Sequence, residues 1–138
     1  AAGDAVLAGV AKVMAQEAER IGFAARMGGE EFLVALPGCG RLAAAAVARR
    51  IRAAVEKQKI VVPGLSTTLS VTTSIGVAVA EAGRMTRGLS ASEETASLLT
   101  RADRALYRAK RTGRNRVVSD LNLISRPVPT DTRKVSGM

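Results

Sequence analysis

The sequence predicts a mixed α/β (α+β) fold, with helices packed on one side of a largely antiparallel sheet. Three observations carry this expectation. Apolar residues recur at helical spacing in three separate stretches, residues 69 to 79 alternate apolar and polar positions, and a Gly-Gly pair joins two short apolar runs. The predicted order is helix, hairpin, helix, strand, helix, strand.

Val6, Val10, Val13 and Met14 share one face of a helix over residues ~5 to 20, entered through Gly3-Asp4. Two apolar runs follow, Phe23-Ala24-Ala25 and Phe32-Leu33-Val34-Ala35-Leu36, separated by Arg26-Met27-Gly28-Gly29-Glu30-Glu31 and ended by Pro37-Gly38. Only glycine takes φ > 0 without cost, so Gly28-Gly29 is predicted as the hairpin corner, with Glu30 and Glu31 on the outgoing strand. Leu42, Val47, Ile51 and Val55 mark a second helix with Arg and Lys on its outer face. Pro63-Gly64 breaks the chain. Leu69, Val71, Thr73, Ile75, Val77 and Val79 then alternate with small or polar residues, the pattern of a half-buried strand.

Gly83 to Gly88 reads as a loop. It imitates a phosphate-binding P-loop, but no Lys stands before Ser90 to reach a phosphate. Ser90 and Glu93 have the spacing of a capping box. The helix they open carries Leu98, Leu99, Ala102, Ala105, Leu106 and Ala109 on one face and stops at Gly113, a natural C′ residue. Val117-Val118 gives a short last strand. Residues 1–119 are expected to form one domain, and 120–138, rich in Pro, Ser, Thr and charge, a basic mobile tail.

Composition bounds the function classes. The 138 residues contain no His, which removes His-based metal sites and catalytic dyads from this chain, and Cys39 alone cannot form an internal disulfide. No run reaches the ~18 to 20 uncharged apolar residues of a membrane span, and no secretory pattern opens the chain. A cytoplasmic location is therefore expected, with any membrane anchor supplied upstream. A net charge of +9 invites nucleic acid, but single-strand binders pair basic grooves with stacking aromatics, and here there are only Phe23, Phe32 and Tyr107. A solvated basic face, partly suited to nucleotide phosphates, is the better reading.

The stretch Gly28-Gly29-Glu30-Glu31-Phe32 resembles the signature of the GGDEF family, the diguanylate cyclase catalytic domains. Gly3-Asp4-Ala5-Val6-Leu7, the strand Val71 to Ala78, and Arg101 to Lys110 running into Gly113-Arg114-Asn115-Arg116-Val117 match it in the family's order. The resemblance implies a ferredoxin-like nucleotidyl cyclase palm. It implies condensation of two GTP into cyclic di-GMP with release of pyrophosphate, assisted by Mg²⁺ or Mn²⁺, across a homodimer. Glu30 would be the catalytic carboxylate and a metal ligand, and Glu31 a second ligand. Gly28 and Gly29 would let GTP lie against the hairpin, Asp4 would contact the guanine edge, and Lys110 and Arg114 would hold the β- and γ-phosphates.

Each residue also has a plainer reading: a surface hairpin for Glu30 and Glu31, turn geometry for the glycines, an N-cap for Asp4, and helix-dipole compensation for the two cations. Two departures from the family pattern stand out. Glu19 and Gly22 occupy the positions of an inhibitory product site's Arg and Asp, so product inhibition through that site is not expected. Family members also open with a strand bearing an Asp metal ligand and a helix with a Lys and a guanine-reading Asn, which this chain does not supply. The expectation is an N-terminally truncated domain, inactive by itself, from a longer protein with an upstream sensor or regulatory region. The alternative is a catalytically inactive GGDEF-like module that binds GTP or a protein partner.

Overall fold

The computed structural model describes residues 2–80 and 88–120. Within them lie α1 (Ala2–Ala18), β1 (Phe23–Gly28), β2 (Glu31–Ala35), α2 (Arg41–Lys57), β3 (Ile60–Val61), β4 (Thr68–Leu69), β5 (Ile75–Val77), α3 (Ala91–Arg111) and β6 (Val117–Ser119). The P-loop-like stretch from Gly83, apart from Gly88, Leu89 and Ser90, and nearly all of the expected tail lie outside the described residues. No helix among the described residues is long and apolar enough to cross a membrane.

The core forms where the apolar faces of α1 and α2 meet. Val10, Val13 and Met14 of α1 pack with Val47, Ile51 and Val55 of α2, all buried. Phe32, Val34 and Leu36 close this cluster from the hairpin side, and Val71 and Ile75 from the alternating segment. Leu42 sits on another face of α2 and is exposed, so Ala44 takes the first core position instead.

The strands form three separate pairs. β1 with β2 and β3 with β4 are antiparallel, and β5 with β6 is parallel. The β3–β4 pair was not expected from the sequence, although Ile60-Val61-Val62 ahead of Pro63-Gly64 is a β-branched run before a turn. The long alternating strand is shorter than predicted: residues 70–74 lie between β4 and β5 and pair with no strand among the described residues. Burial alternates only as far as Thr73, with Val71 and Thr73 half-buried and Ser70 and Thr72 exposed; from Ser74 to Val79 every residue is half-buried. Side-chain alternation reports which face meets the core, whereas a ladder also requires a neighbour.

Helices flank β5 on both sides rather than one. Ile75 packs into the α1–α2 core, while a Cβ on Gly76 would strike the backbone of Ala102 and Leu106 in α3. Successive strand residues point to opposite faces, so α2 and α3 lie on opposite faces of β5. Buried Ala105 and Ala109 keep α3 equally slim on this side. The predicted Ser90–Glu93 capping box is present and starts α3. At the other edge Arg101 donates to the buried carboxylate of Asp120 at 2.6 Å and to Val79 O at 3.2 Å, tying α3 to the segment just beyond β5 and the end of β6. Gly76→Ala should therefore cost roughly 1–3 kcal/mol of stability through overpacking. Denaturant unfolding measures this, and an unchanged midpoint would mean that α3 does not approach β5 so closely.

Candidate functional site

The hairpin corner lies one residue later than predicted. Gly28 pairs with Glu31, which leaves Gly29 and Glu30 as a two-residue turn. Gly29 has φ +57° at the first corner position, where a type II′ hairpin favours glycine. Gly28, with φ +147°, absorbs the register shift that follows Arg26. Glu30 therefore stands on the tip itself, and Glu31 opens β2. A Cβ at either glycine would meet nothing within 4 Å, so the space beside the turn is open.

Arg26 straps this turn. Its Nε and Nη2 donate to Gly29 O at 2.9 and 2.6 Å, so the guanidinium closes the loop from beneath. Sequence reasoning gave Arg26 no role; a cation three residues before the second glycine was the available signal. Among the described residues, the side chains of Glu30 and Glu31 have no hydrogen-bond or ion-pair partner. No group of three or more His, Cys, Asp or Glu side chains that could hold a metal ion occurs among the described residues. Two hard carboxylates at an open turn do suit Mg²⁺, which takes one or two protein carboxylates and completes its shell with water and phosphate oxygens.

A groove of about 370 Å³ runs between α1 and the hairpin, lined by Asp4, Leu7, Ala8 and Ala11 on one side and by Ala24, Arg26 and Phe32 on the other. It exists because this face of α1 is largely alanine. Asp4 is not the N-cap: the helix begins at Ala2, which places Asp4 in its first turn. A carboxylate there is favoured by the helix dipole. The groove thus brings Asp4 to Arg26, the residue that holds the turn. A second open groove continues past Ala15 and Ala24 towards Glu19, Gly22 and Phe23. Gly22 sits against the carbonyl of Ala35, where any Cβ would collide.

Lys110 and Arg114 lie at the far end of α3. Lys110 is exposed in the last turn, and Arg114 follows the helix terminus. The N–H of Arg114 bonds to Ala109 O at 2.9 Å, the six-to-one bond of a Schellman ending, with Gly113 at C′ and φ +126°. The chain then keeps positive φ through Arg114 (62°) and Asn115 (45°). Such a conformation costs about 1–2 kcal/mol at a residue with a Cβ, although Asn tolerates it better than most. Neither the Lys110 nor the Arg114 side chain has a hydrogen-bond or ion-pair partner among the described residues.

Asn115 does. Its Oδ1 accepts from Arg52 Nη1 at 2.8 Å, and its Nδ2 donates to Glu56 Oε1 at 3.0 Å. Arg52 and Glu56, one turn apart on α2, pair with each other at 2.6 Å. On sequence grounds Arg52 belonged to the basic outer face of the second helix and Glu56 had no role, and only the tertiary fold shows what faces them. The Arg52 hydrogen bond, followed by that from Asn115, holds the Glu56 carboxyl below its ordinary value of 4.5.

A family model described as diguanylate cyclase, GGDEF domain, matches residues 1–116. Among curated proteins, diguanylate cyclase A of Treponema denticola is 43% identical over 122 residues, covering 88% of this chain and 30% of that protein. Diguanylate cyclase DgcP of Pseudomonas aeruginosa is 37% identical over 116 residues, covering 84% of this chain and 16% of that protein. The chain thus spans a third or less of these relatives. Among solved structures, the GGDEF domain of DgcB from Caulobacter crescentus in complex with c-di-GMP superposes with a TM-score of 0.70 at 32% identity, covering 86% of this chain and 64% of that one. The active GGEEF domain of a diguanylate cyclase from Vibrio cholerae gives 0.59 at 26% identity, covering 84% of this chain and 67% of that one.

The lowered Glu56 value has a sign. A carboxyl whose folded pKa lies below its unfolded one adds stability that is present above the unfolded value and is lost as pH falls through the folded value. Glu56→Gln should therefore shrink the fall in thermal midpoint between neutral pH and pH values below 4.5. Matching pH profiles for the two proteins would show that Glu56 is not engaged.

Proposed function

The chain belongs to the GGDEF domain family of diguanylate cyclases, and on that premise we propose that it forms most of a domain that condenses two GTP into cyclic di-GMP. The observation that supports this reading is the open hairpin turn that carries Glu30, with Glu31 opening β2, held by Arg26, which also lines the groove that Asp4 lines.

Each 3′-hydroxyl attacks the α-phosphorus of the other GTP. The new P–O bond forms as the bond from the α-phosphorus to the bridging oxygen breaks, and one pyrophosphate leaves per attack. One domain holds one GTP, so two domains must face each other as a homodimer. Glu30 accepts the proton of the attacking hydroxyl, and Glu30 with Glu31 would hold a divalent cation, Mg²⁺ or Mn²⁺. When bound, that cation supplies charge neutralisation at the phosphate. Asp4 accepts hydrogen bonds from the guanine ring N–H and amino group. Gly28 and Gly29 leave room for the nucleotide against the backbone. Lys110 and Arg114 balance the charge that develops on the leaving pyrophosphate.

The groove near Glu19 and Gly22 is not a product-inhibition site in this reading. An anionic Glu19 repels the phosphates of cyclic di-GMP, and Gly22, pressed against the Ala35 carbonyl, has no room for a carboxylate. The competing reading, a domain that binds GTP without turnover, differs in outcome rather than in fold.

In the full-length protein, Glu30→Ala should abolish cyclic di-GMP formation and leave the unfolding free energy within about 0.5 kcal/mol of wild type, because an exposed tip carries little of the core. Lys110→Ala should reduce the rate less, since Arg114 remains. Near-normal turnover in Glu30→Ala would remove Glu30 from the chemistry.

A further inference from the structure

We propose that Arg52, Glu56 and Asn115 form a positioning clamp that fixes the left-handed turn after α3 and so aims Arg114 at the triphosphate of GTP. The proposal rests on the phosphate role given to Arg114 above. The direction in which the Arg114 side chain leaves the backbone is set by the torsions of residues 113–115. Two of those three residues carry a Cβ at positive φ, a conformation that persists only when its surroundings hold it.

Three contacts do so. The Schellman bond from Arg114 N to Ala109 O anchors the turn to the helix. Arg116 donates from Nε to Arg114 O at 3.0 Å, with its guanidinium lying over Gly113. These two are local, and the exit of the turn is tied to β5, where Ile75 N donates to Arg116 O at 2.9 Å. The third is not local, because Asn115 uses both ends of its amide on α2, accepting from Arg52 and donating to Glu56. The Arg52–Glu56 pair closes the ring, so each member of the clamp has two partners. α2 is itself seated in the core through Val47, Ile51 and Val55. The clamp therefore refers the position of Arg114 to the rigid centre of the domain, while its own side chains stay clear of any substrate contact. That division suits a group that must meet a triphosphate at a fixed angle.

Binding of 3′-deoxy-GTP, which lacks the attacking hydroxyl, and of 3′-deoxyguanosine, which lacks the phosphates, tests this in the full-length protein. Arg114→Ala should weaken 3′-deoxy-GTP about tenfold, the loss of one charge-assisted contact, and leave 3′-deoxyguanosine unchanged. Arg52→Ala and Asn115→Gly should each weaken 3′-deoxy-GTP severalfold and spare 3′-deoxyguanosine. Glycine keeps the backbone conformation accessible and removes only the amide. Added to Arg114→Ala, neither should weaken binding further, since both act through Arg114. An intact nucleoside affinity reports an intact fold. If Asn115→Gly does not fold, Arg52→Ala carries the test from the other side of the clamp. Normal 3′-deoxy-GTP affinity in Arg52→Ala, with Arg114→Ala impaired, would overturn the clamp alone. Normal affinity in Arg114→Ala would overturn the phosphate reading on which it stands.

Discussion

The approach of α3 to β5 at Gly76 is the constraint on which the rest of this domain depends. No side chain separates the strand from the backbone of Ala102 and Leu106, and Ala105 and Ala109 continue the slim face. That contact fixes where the far end of α3 emerges, and with it Lys110 and the turn that carries Arg114. The opposite face of β5 meets the α1–α2 core through Ile75. A three-residue strand thus relates both helical layers, and small residues make this possible where aromatic ones could not.

A second set of constraints acts at the hairpin. Positive φ at Gly28 and Gly29 makes the tip, Arg26 holds it from beneath, and the alanines of α1 leave a groove at its side. The carboxylates and the cations therefore sit on separate elements: Glu30 and Glu31 on the β1–β2 turn, Lys110 and Arg114 at the end of α3. Such a division suits phosphoryl transfer, in which opposite charges must gather around one triphosphate without first neutralising each other.

Much of this was legible in the sequence. Helical periodicity located three helices, the spacing of Ser90 and Glu93 gave the start of α3, and Gly113 its end, because these are local effects of caps and turns. The hairpin was legible as well, but its corner was displaced by one residue, since the register shift after Arg26 depends on pairing across the two strands. The alternation survives as burial only over residues 69–73, since helices cover both faces of β5 beyond, and a ladder needs a partner that sequence periodicity does not count. The β3–β4 pair was missed because two-residue strands carry almost no periodic signal. At the site, the resemblance named Asp4, Glu30, Lys110 and Arg114. Arg52 belonged in the sequence only to the basic outer face of the second helix and Glu56 was given no role, and nothing in their spacing told that Asn115, far along the chain, completes them.

The most direct test of the central claim is the product balance when the full-length protein consumes GTP in the presence of Mg²⁺. The account predicts two pyrophosphates for every cyclic di-GMP, with the rate per domain rising with protein concentration as domains pair. GTP consumed to GDP and phosphate, or bound without any consumption, would contradict it.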